Sequence, residues 1–538
     1  MALPAHGPRP AGRALRLAPA ALLALAAAGC AAHARPGRLA PAARALAAEI
    51  DSALSGPEFD RAMWGVVVQS LDNGEVVYRR NAERLMMPAS NMKLLTSSAA
   101  LVRLGADFRY RTVVLARGTR RSDTLAGDLL VVGRGDPTFS QHAAGGSDVL
   151  ASLRPWADSL RAHGVRIVTG RVVGDGSWFT DPPLGSGWAW DDLADSYAAG
   201  VSALQFNEGF ALLDVAPGDS AGAPAHTAFE PLAAPLRVFG AVATAPRDSS
   251  RARVHYDRAP FTDSVIVWGQ IAAGHAPDSI EIAVPDPVRY FEAALTEVLQ
   301  EAGIAVLGRP APQPAGTGPA PAPAGTTAGQ APAAAPVPAA AQLGSAPAAD
   351  TLFVWWSPPL RDILPLFLKP SQNQIGETLL RTLGGEAKGE ASVDSGRAVV
   401  REVLHEFGVA DDAWVMADGS GLSRYDYVAP ETLARVLEGM ARRPDFDLFY
   451  RSLPIAGVDG TIASRMRGTA AAGNVHAKTG SIANVRSLSG YVTSADGERF
   501  VFVMIANHFT VPRRVVEVVQ DHVMERLANF RRHPGRTR

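Results

Sequence analysis

The rhythm of apolar and polar positions changes several times along the chain. Residues 65–70 and 75–79 are β-branched runs on either side of Asp72-Asn73-Gly74, a pattern that predicts a hairpin. The run Pro88-Ala89-Ser90-Asn91-Met92-Lys93 then opens a helix through about Leu104, with Gly105 as its stop. A long middle region follows, in which valine-rich strands alternate with Gly-Asp turns such as 133–137 and 174–177. Residues 361–383 read as helical, interrupted at Pro370, because proline removes a backbone donor. Near the end, 487–493 and 499–506 read as strands joined around Asp496-Gly497. Residues 513–530 place Val515, Val516, Val519, Val523 and Leu527 on one side of a helix. No fixed-period repeat interrupts this order.

Composition adds domain limits. At 538 residues the chain exceeds one ordinary core. A net charge of −1 excludes nucleic acid as a main partner, since phosphate binding needs a basic face. Residues 306–351 are Ala/Pro-rich with almost no charge from 309 to 349, a composition that cannot pack a core and reads as a disordered segment. Residues 1–34 read as an export signal: Arg9, Arg13 and Arg16 precede an apolar stretch, 17–28, too short to span a bilayer. Ala27-Ala28-Gly29-Cys30 suits a lipoprotein signal with Cys30 lipidated, while Ala32-His33-Ala34 suits ordinary cleavage. Cys30 is the one cysteine, so no internal disulfide forms, and a lipid anchor there is the only membrane contact the sequence suggests.

Lysine usage sharpens the search for chemistry. The chain has four lysines, Lys93, Lys369, Lys388 and Lys478, against 48 arginines. The generic cation is therefore arginine. A lysine stands out because a buried amine can lose its proton and act as a base, which a guanidinium cannot. Lys388 lies in a polar stretch and needs no such role.

Three short motifs follow one another. In Ser90-Asn91-Met92-Lys93, helical spacing puts the Lys93 amine on the same face as the Ser90 hydroxyl. A serine needs such a base to become a nucleophile, and desolvation lowers a lysine pKa enough to supply one. The helix start also places the Ser90 N–H near a developing oxyanion. Alone this pair is weak, since chance produces it in roughly a quarter of such chains. In Lys369-Pro370-Ser371-Gln372-Asn373, Ser371 can relay a proton between Lys93 and a leaving amine, and Asn373 can hold Lys93 and a substrate amide. Equally, Ser371 can be an ordinary helix N-cap. In Lys478-Thr479-Gly480-Ser481, Lys478 and the Thr479 and Ser481 hydroxyls can bind a carboxylate, and Gly480 lets substrate lie against the strand. Chance gives Lys-Thr-Gly in only about 2% of chains this poor in lysine, so it is the sharpest signal.

The ordered set resembles the signature of penicillin-binding proteins and serine β-lactamases. Residues 88–95, the stretch 418–424 (Asp-Gly-Ser-Gly-Leu-Ser-Arg) and 188–192 (Trp-Ala-Trp-Asp-Asp) are similar to the D-alanyl-D-alanine carboxypeptidase/endopeptidase family, the low-molecular-mass class C penicillin-binding proteins. The resemblance covers roughly 45–305 and 350–530. Gln372 departs from the aspartate common there. It implies an α/β (α+β) serine transpeptidase/β-lactamase-like domain from 40–110 and 352–530. Two inserted β-rich domains, 111–305, would lie between the first and second motifs. It further implies that Ser90 forms an acyl-enzyme with Lys93 as base, on peptidoglycan stem peptides, with β-lactams as inhibitors. Ser371 and Asn373 would assist proton transfer and positioning, and Lys478, Thr479 and Ser481 would bind the terminal carboxylate. The N–H groups of Ser90 and Ser481 would form the oxyanion hole. Arg424 would meet the carboxylate of a stem side chain, and Asp192 and Tyr197 its ammonium.

Other signals carry less. The stretch 218–222 spells a nucleophile elbow, but Gly222 and Pro224 oppose the helix that must follow it. His405-Glu406 lacks the second histidine of a zinc protease. Serine acyl transfer implies no metal or organic cofactor. A β-lactamase shares the motifs, but its first two usually lie far closer together than Ser90 and Ser371. A silent peptidoglycan-binding module is the third alternative, opposed by the intact Ser90, Lys93 and Lys478.

Overall fold

The computed structural model describes residues 39–308 and 349–533. The expected export signal with Cys30, and all but the ends of the Ala/Pro-rich stretch, lie outside the described residues. Two strands met early, β1 (Met63–Ser70) and β2 (Val76–Arg80), join three met late, β3 (His476–Ile482), β4 (Val485–Thr493) and β5 (Arg499–Asn507). They form one antiparallel sheet ordered β3-β4-β5-β1-β2. β1 pairs with β5 from Met63 opposite Asn507 to Ser70 opposite Phe500.

Both faces of this sheet are covered, which explains why β1 and β5 read as unbroken apolar runs. Side chains alternate between faces, so period two here separates two cores rather than core from water. Trp64, Val66 and Val68, with Phe500, Phe502 and Met504, pack on helices α1 (Pro41–Ala53) and α7 (Arg513–Asn529). Val67, with Val501, Val503 and Ile505, faces a helical layer of α2 (Met92–Arg103), α3 (Leu360–Leu368), α4 (Asn373–Lys388), α5 (Val393–Glu406) and α6 (Pro430–Ala441). Each such side chain contributes about 1.5–3 kcal/mol of burial. Every residue of α2 from Met92 to Leu101 is buried. It is a core helix, and Lys93 is buried with it.

The chain between α2 and α3 forms three further sheets. The largest is ordered Ala305–Val306, Ile167–Val168, Thr124–Val132, Arg111–Arg121, Ala349–Trp356, with Val172–Asp175 also pairing Thr124–Val132. Two three-stranded sheets accompany it, built around Phe210–Ala216 and Ser264–Ala272. Their inward side chains, Val114, Leu129, Leu213, Val242 and Val265 among them, share an apolar cluster.

The expected boundaries shift at two places. Strand order reaches Val306 before the Ala/Pro-rich stretch and resumes at Ala349 after it, so both ends of 306–351 are structured. Ala349–Trp356 pairs antiparallel with Arg111–Arg121. Residues 352–356 therefore belong to the insert's sheet, and the helical layer resumes with α3. Their partners are distant in sequence, so no local pattern reveals the pairing.

Candidate active site

Three segments converge at one edge of the five-stranded sheet. Residues Ala89–Asn91 form a 3₁₀ turn leading into α2, with Ala89 held at φ +47°. Two glycines let other segments press on this turn. A Cβ on Gly480 would stand 2.6 Å from the Pro88 carbonyl oxygen and 3.1 Å from Ser90 N. A Cβ on Gly421, itself at φ +82°, would stand 1.9 Å from the Ala89 carbonyl oxygen. Asn91 ties the turn to the sheet: its Nδ2 donates to the Lys478 carbonyl at 2.9 Å and its Oδ1 accepts from Ser489 Oγ at 2.6 Å.

Lys93 is fully buried, and its Nζ has three oxygen neighbours: Ser90 Oγ at 2.9 Å, Asn373 Oδ1 at 2.5 Å and the Ser420 carbonyl at 2.7 Å. Burial lowers its pKa to about 7, against the opposing pull of Asp418, Glu377 and Asp426. When the amine is neutral, two N–H groups can serve the amide and carbonyl oxygens, which only accept, and leave the lone pair for the Ser90 hydroxyl; when it is protonated, all three oxygens accept.

Lys478, on β3, is buried too. Its Nζ donates to Ser371 Oγ at 2.7 Å and to the Thr479 carbonyl at 2.9 Å. Burial and the neighbouring Lys93 hold its pKa well below the ordinary lysine range. Ser371 therefore partners Lys478 and not Lys93, so a relay starting at Lys93 is not what the resting site shows. Ser371 is not the N-cap of α4 either. It lies at φ +69°, and the Gln372 side chain caps the helix by accepting from Gln374 N at 2.8 Å. The Gln372 amide turns away from the cleft and donates to Glu208. Asn373 Nδ2 donates to the Tyr197 carbonyl at 2.8 Å, which commits the amide group expected to meet substrate.

These groups open on a cleft of about 730 Å³ that Ser90, Asn373, Thr479 and Ser481 line from one side. Asp192, Tyr197 and Arg424 line it from the other. The Tyr197 hydroxyl lies 2.9 Å from an Asp192 oxygen and 2.8 Å from an Asp195 oxygen, and its single proton is donated to one of them at a time. Burial and these two carboxylates push its pKa up. The Arg424 side chain makes no hydrogen bond or ion pair among the described residues. The Thr461 and Thr479 hydroxyls lie 2.7 Å apart.

Sequence reasoning singled out the stretch 418–424 but missed the role of Asp418 in it, and missed Glu377 and Thr96, which also hold the site in shape. Asp418 accepts from Ser420 N at 3.1 Å, Gly421 N at 2.6 Å, Ser423 N at 2.7 Å and Trp188 Nε1 at 2.9 Å. It thereby curls the loop that aims the Ser420 carbonyl at Lys93. Glu377 Oε1 accepts from Gly419 N and Ser420 N, both at 2.9 Å, and its Oε2 accepts from Arg381 at 3.0 Å. Thr96 Oγ1 donates to the Gly419 carbonyl at 2.7 Å. In the sequence Glu377 and Arg381 look like a surface i,i+4 pair, yet both are buried.

A hydroxyl at a helix start, a buried amine in contact with it, and a second buried lysine on the adjoining strand define a serine acyl-transfer enzyme of the penicillin-binding class. The chain belongs to the D-Ala-D-Ala carboxypeptidase 3 (S13) family, which it matches over residues 46–316 and 335–530. A D-alanyl-D-alanine carboxypeptidase of an Actinomadura species is 32% identical over 496 residues, spanning 90% of this chain and 85% of that protein. D-alanyl-D-alanine carboxypeptidase DacB of Haemophilus influenzae is 28% identical over 459 residues, spanning 83% and 85%. Among solved structures, penicillin binding protein 4 (dacB) from Haemophilus influenzae superposes with a TM-score of 0.70 at 25% identity, over 90% of this chain and 99% of that one.

Proposed function

We propose that Ser90 carries the chemistry of this serine DD-peptidase. The observation that carries the assignment is the buried Lys93 amine, 2.9 Å from Ser90 Oγ with its pKa lowered to about 7. Neutral Lys93 takes the Ser90 proton as Oγ attacks the carbonyl of the penultimate D-alanine in a peptidoglycan stem. The N–H groups of Ser90 and Ser481 hold the oxyanion. Lys478 and Thr479 hold the terminal carboxylate. Lys93 gives up the proton it took, and the leaving nitrogen receives it by way of Ser371, which stands against Lys478. Water then hydrolyses the acyl-enzyme. The leaving group is free D-alanine in a carboxypeptidase turn and a second stem in a cross-link endopeptidase turn. A β-lactam follows the same first steps, but its leaving nitrogen stays tethered, so the adduct persists.

The outer pocket, Arg424 with Asp192 and Tyr197, receives the zwitterionic end of a stem side chain. The basic, apolar and small residues of 1–34 support export to the envelope, with Cys30 as the lipid anchor. No helix among the described residues is long and apolar enough to cross a membrane.

Intact mass spectrometry after benzylpenicillin, beside Ser90→Ala, tests the assignment. A lasting one-to-one adduct on the wild type alone is expected. Loss of penicillin without an adduct points instead to a β-lactamase, and neither adduct nor loss to a silent binding module.

A further inference from the structure

The cleft does not end at Ser481. It continues past the β3–β4 turn to Arg486 and Arg513, walled by Phe509 and Val511. Arg486 is the cross-strand partner of Ser481. Opposed residues of an antiparallel pair project from the same face, so Arg486 stands beside Ser481 on the cleft side of the sheet. Its guanidinium donates to the Ile482 and Val485 carbonyls at 3.1 and 2.7 Å, while its Nε is buried with no hydrogen-bond partner among the described residues.

The local charge does not balance. Glu517 is shared among Arg486 at 3.9 Å, Arg513 at 3.3 Å and Arg514 at 3.7 Å. Asp521 also approaches Arg514, at 3.5 Å, but is held by Arg465 at 2.7 Å. Burial first, and then the charge of Arg513, lower the Arg486 pKa to about 10, against the pull of Glu517. This end of the cleft is therefore short of an anion.

We propose that Arg486 and Arg513 form a subsite for a carboxylate carried by the stem peptide upstream of the scissile bond. The inference rests on the reading of the site above. If the terminal carboxylate lies at Lys478 and Thr479 and the scissile carbonyl at Ser481, the substrate runs antiparallel to β3. Its upstream residues then pass Ile482, Ala483 and Asn484 towards Arg486. A stem carries its glutamate two residues before the penultimate D-alanine. Two extended residues span about 7 Å, which sets that glutamate over the β3–β4 turn with its free carboxylate in reach of both arginines. Recognition there gives the enzyme a preference for an acidic stem over an amidated one, by charge-assisted hydrogen bonds that an amide cannot match.

The test measures D-alanine release from three synthetic peptides. One is L-Ala-γ-D-Glu-X-D-Ala-D-Ala with X diaminopimelate, the second is its glutamate α-amide, and the third is the acetylated tripeptide X-D-Ala-D-Ala. In the wild type kcat/KM is expected to favour the acid over the amide by about tenfold. Within R513Q and within R486Q that ratio is expected to fall to about threefold or less, and in wild type to shrink as salt is raised. Reading the ratio inside each variant cancels any general loss of activity, and R513Q, at an exposed position, serves if R486Q does not fold. Equal turnover of acid and amide by the wild type overturns the subsite, as does a ratio that survives both substitutions. Failure to hydrolyse the tripeptide, with no penicillin adduct, overturns the Ser90 assignment and the subsite with it.

Discussion

The two ends of the cleft treat their cations in opposite ways. At the inner end Lys93 and Lys478 are fully buried, and loss of water drives both amines towards the neutral form. At the outer end stand Arg424, Arg486 and Arg513, whose guanidinium groups keep their charge. The inner lysines differ from each other as well. Asp418, Glu377 and Asp426 oppose the effect of burial on Lys93, whereas for Lys478 burial and the neighbouring Lys93 act in the same downward direction. The contrast accounts for residue choice in a chain so poor in lysine. Both lysines stand where water is excluded, and the arginines stand where the cleft opens to solvent.

That contrast can be broken most directly at Lys93. Lys93→Arg keeps a cation but removes the base, and penicillin acylation is expected to fall about 10³-fold or more. A variant that still acylates would show that proton acceptance at this point is not what the lysine supplies. In the wild type the sign with pH follows from the lone pair. Below about pH 7 Lys93 is protonated and cannot accept the Ser90 proton. The acylation rate should therefore rise about tenfold per pH unit up to that point and level off above it. Lys478→Met preserves bulk and removes the carboxylate partner; kcat/KM for D-Ala-D-Ala peptides is expected to drop about 10²-fold. Asp418→Asn replaces two accepting oxygens by one, in a pocket of four N–H donors, and is expected to cost about 2–3 kcal/mol in denaturant unfolding. The smallest effect belongs to the outer end. Arg424→Gln should raise KM by about fivefold for stems with a zwitterionic side chain and leave penicillin acylation within twofold.

What the sequence disclosed and what it withheld follow the same division. Ser90 with Lys93, Asn373 and Lys478 with Thr479 are side chains in short local patterns, and helical or strand spacing already says which of them share a face. Ser420 lies in the quoted stretch 418–424, but its role was hidden because its contribution is a backbone carbonyl. Glu377 and Arg381 were invisible because burial, not spacing, separates them from an ordinary exposed pair. The Ser371–Lys478 contact joins residues 107 positions apart, which no window on the sequence spans. The same holds for Ala349–Trp356, an apolar strand whose partner lies beyond two hundred intervening positions in the insert's sheet. Arg486 and Arg513 had no motif at all; only the register of β3 with β4 sets one of them beside Ser481.

The pairing of β1 with β5 also sets a clock. The helix that carries Lys93 emerges early in synthesis, but the middle of the sheet it packs on is the strand Arg499–Asn507, made almost last. Asn91 must find the Lys478 carbonyl across 387 positions, and closing so long a loop is slow. Most strands of the insert between them, apart from Ala349–Trp356, have partners nearer at hand and can settle first. A growing or clipped chain therefore carries Ser90 and Lys93 without the strand that holds a substrate against them. The capacity to hydrolyse D-Ala-D-Ala peptides arrives only with the finished molecule.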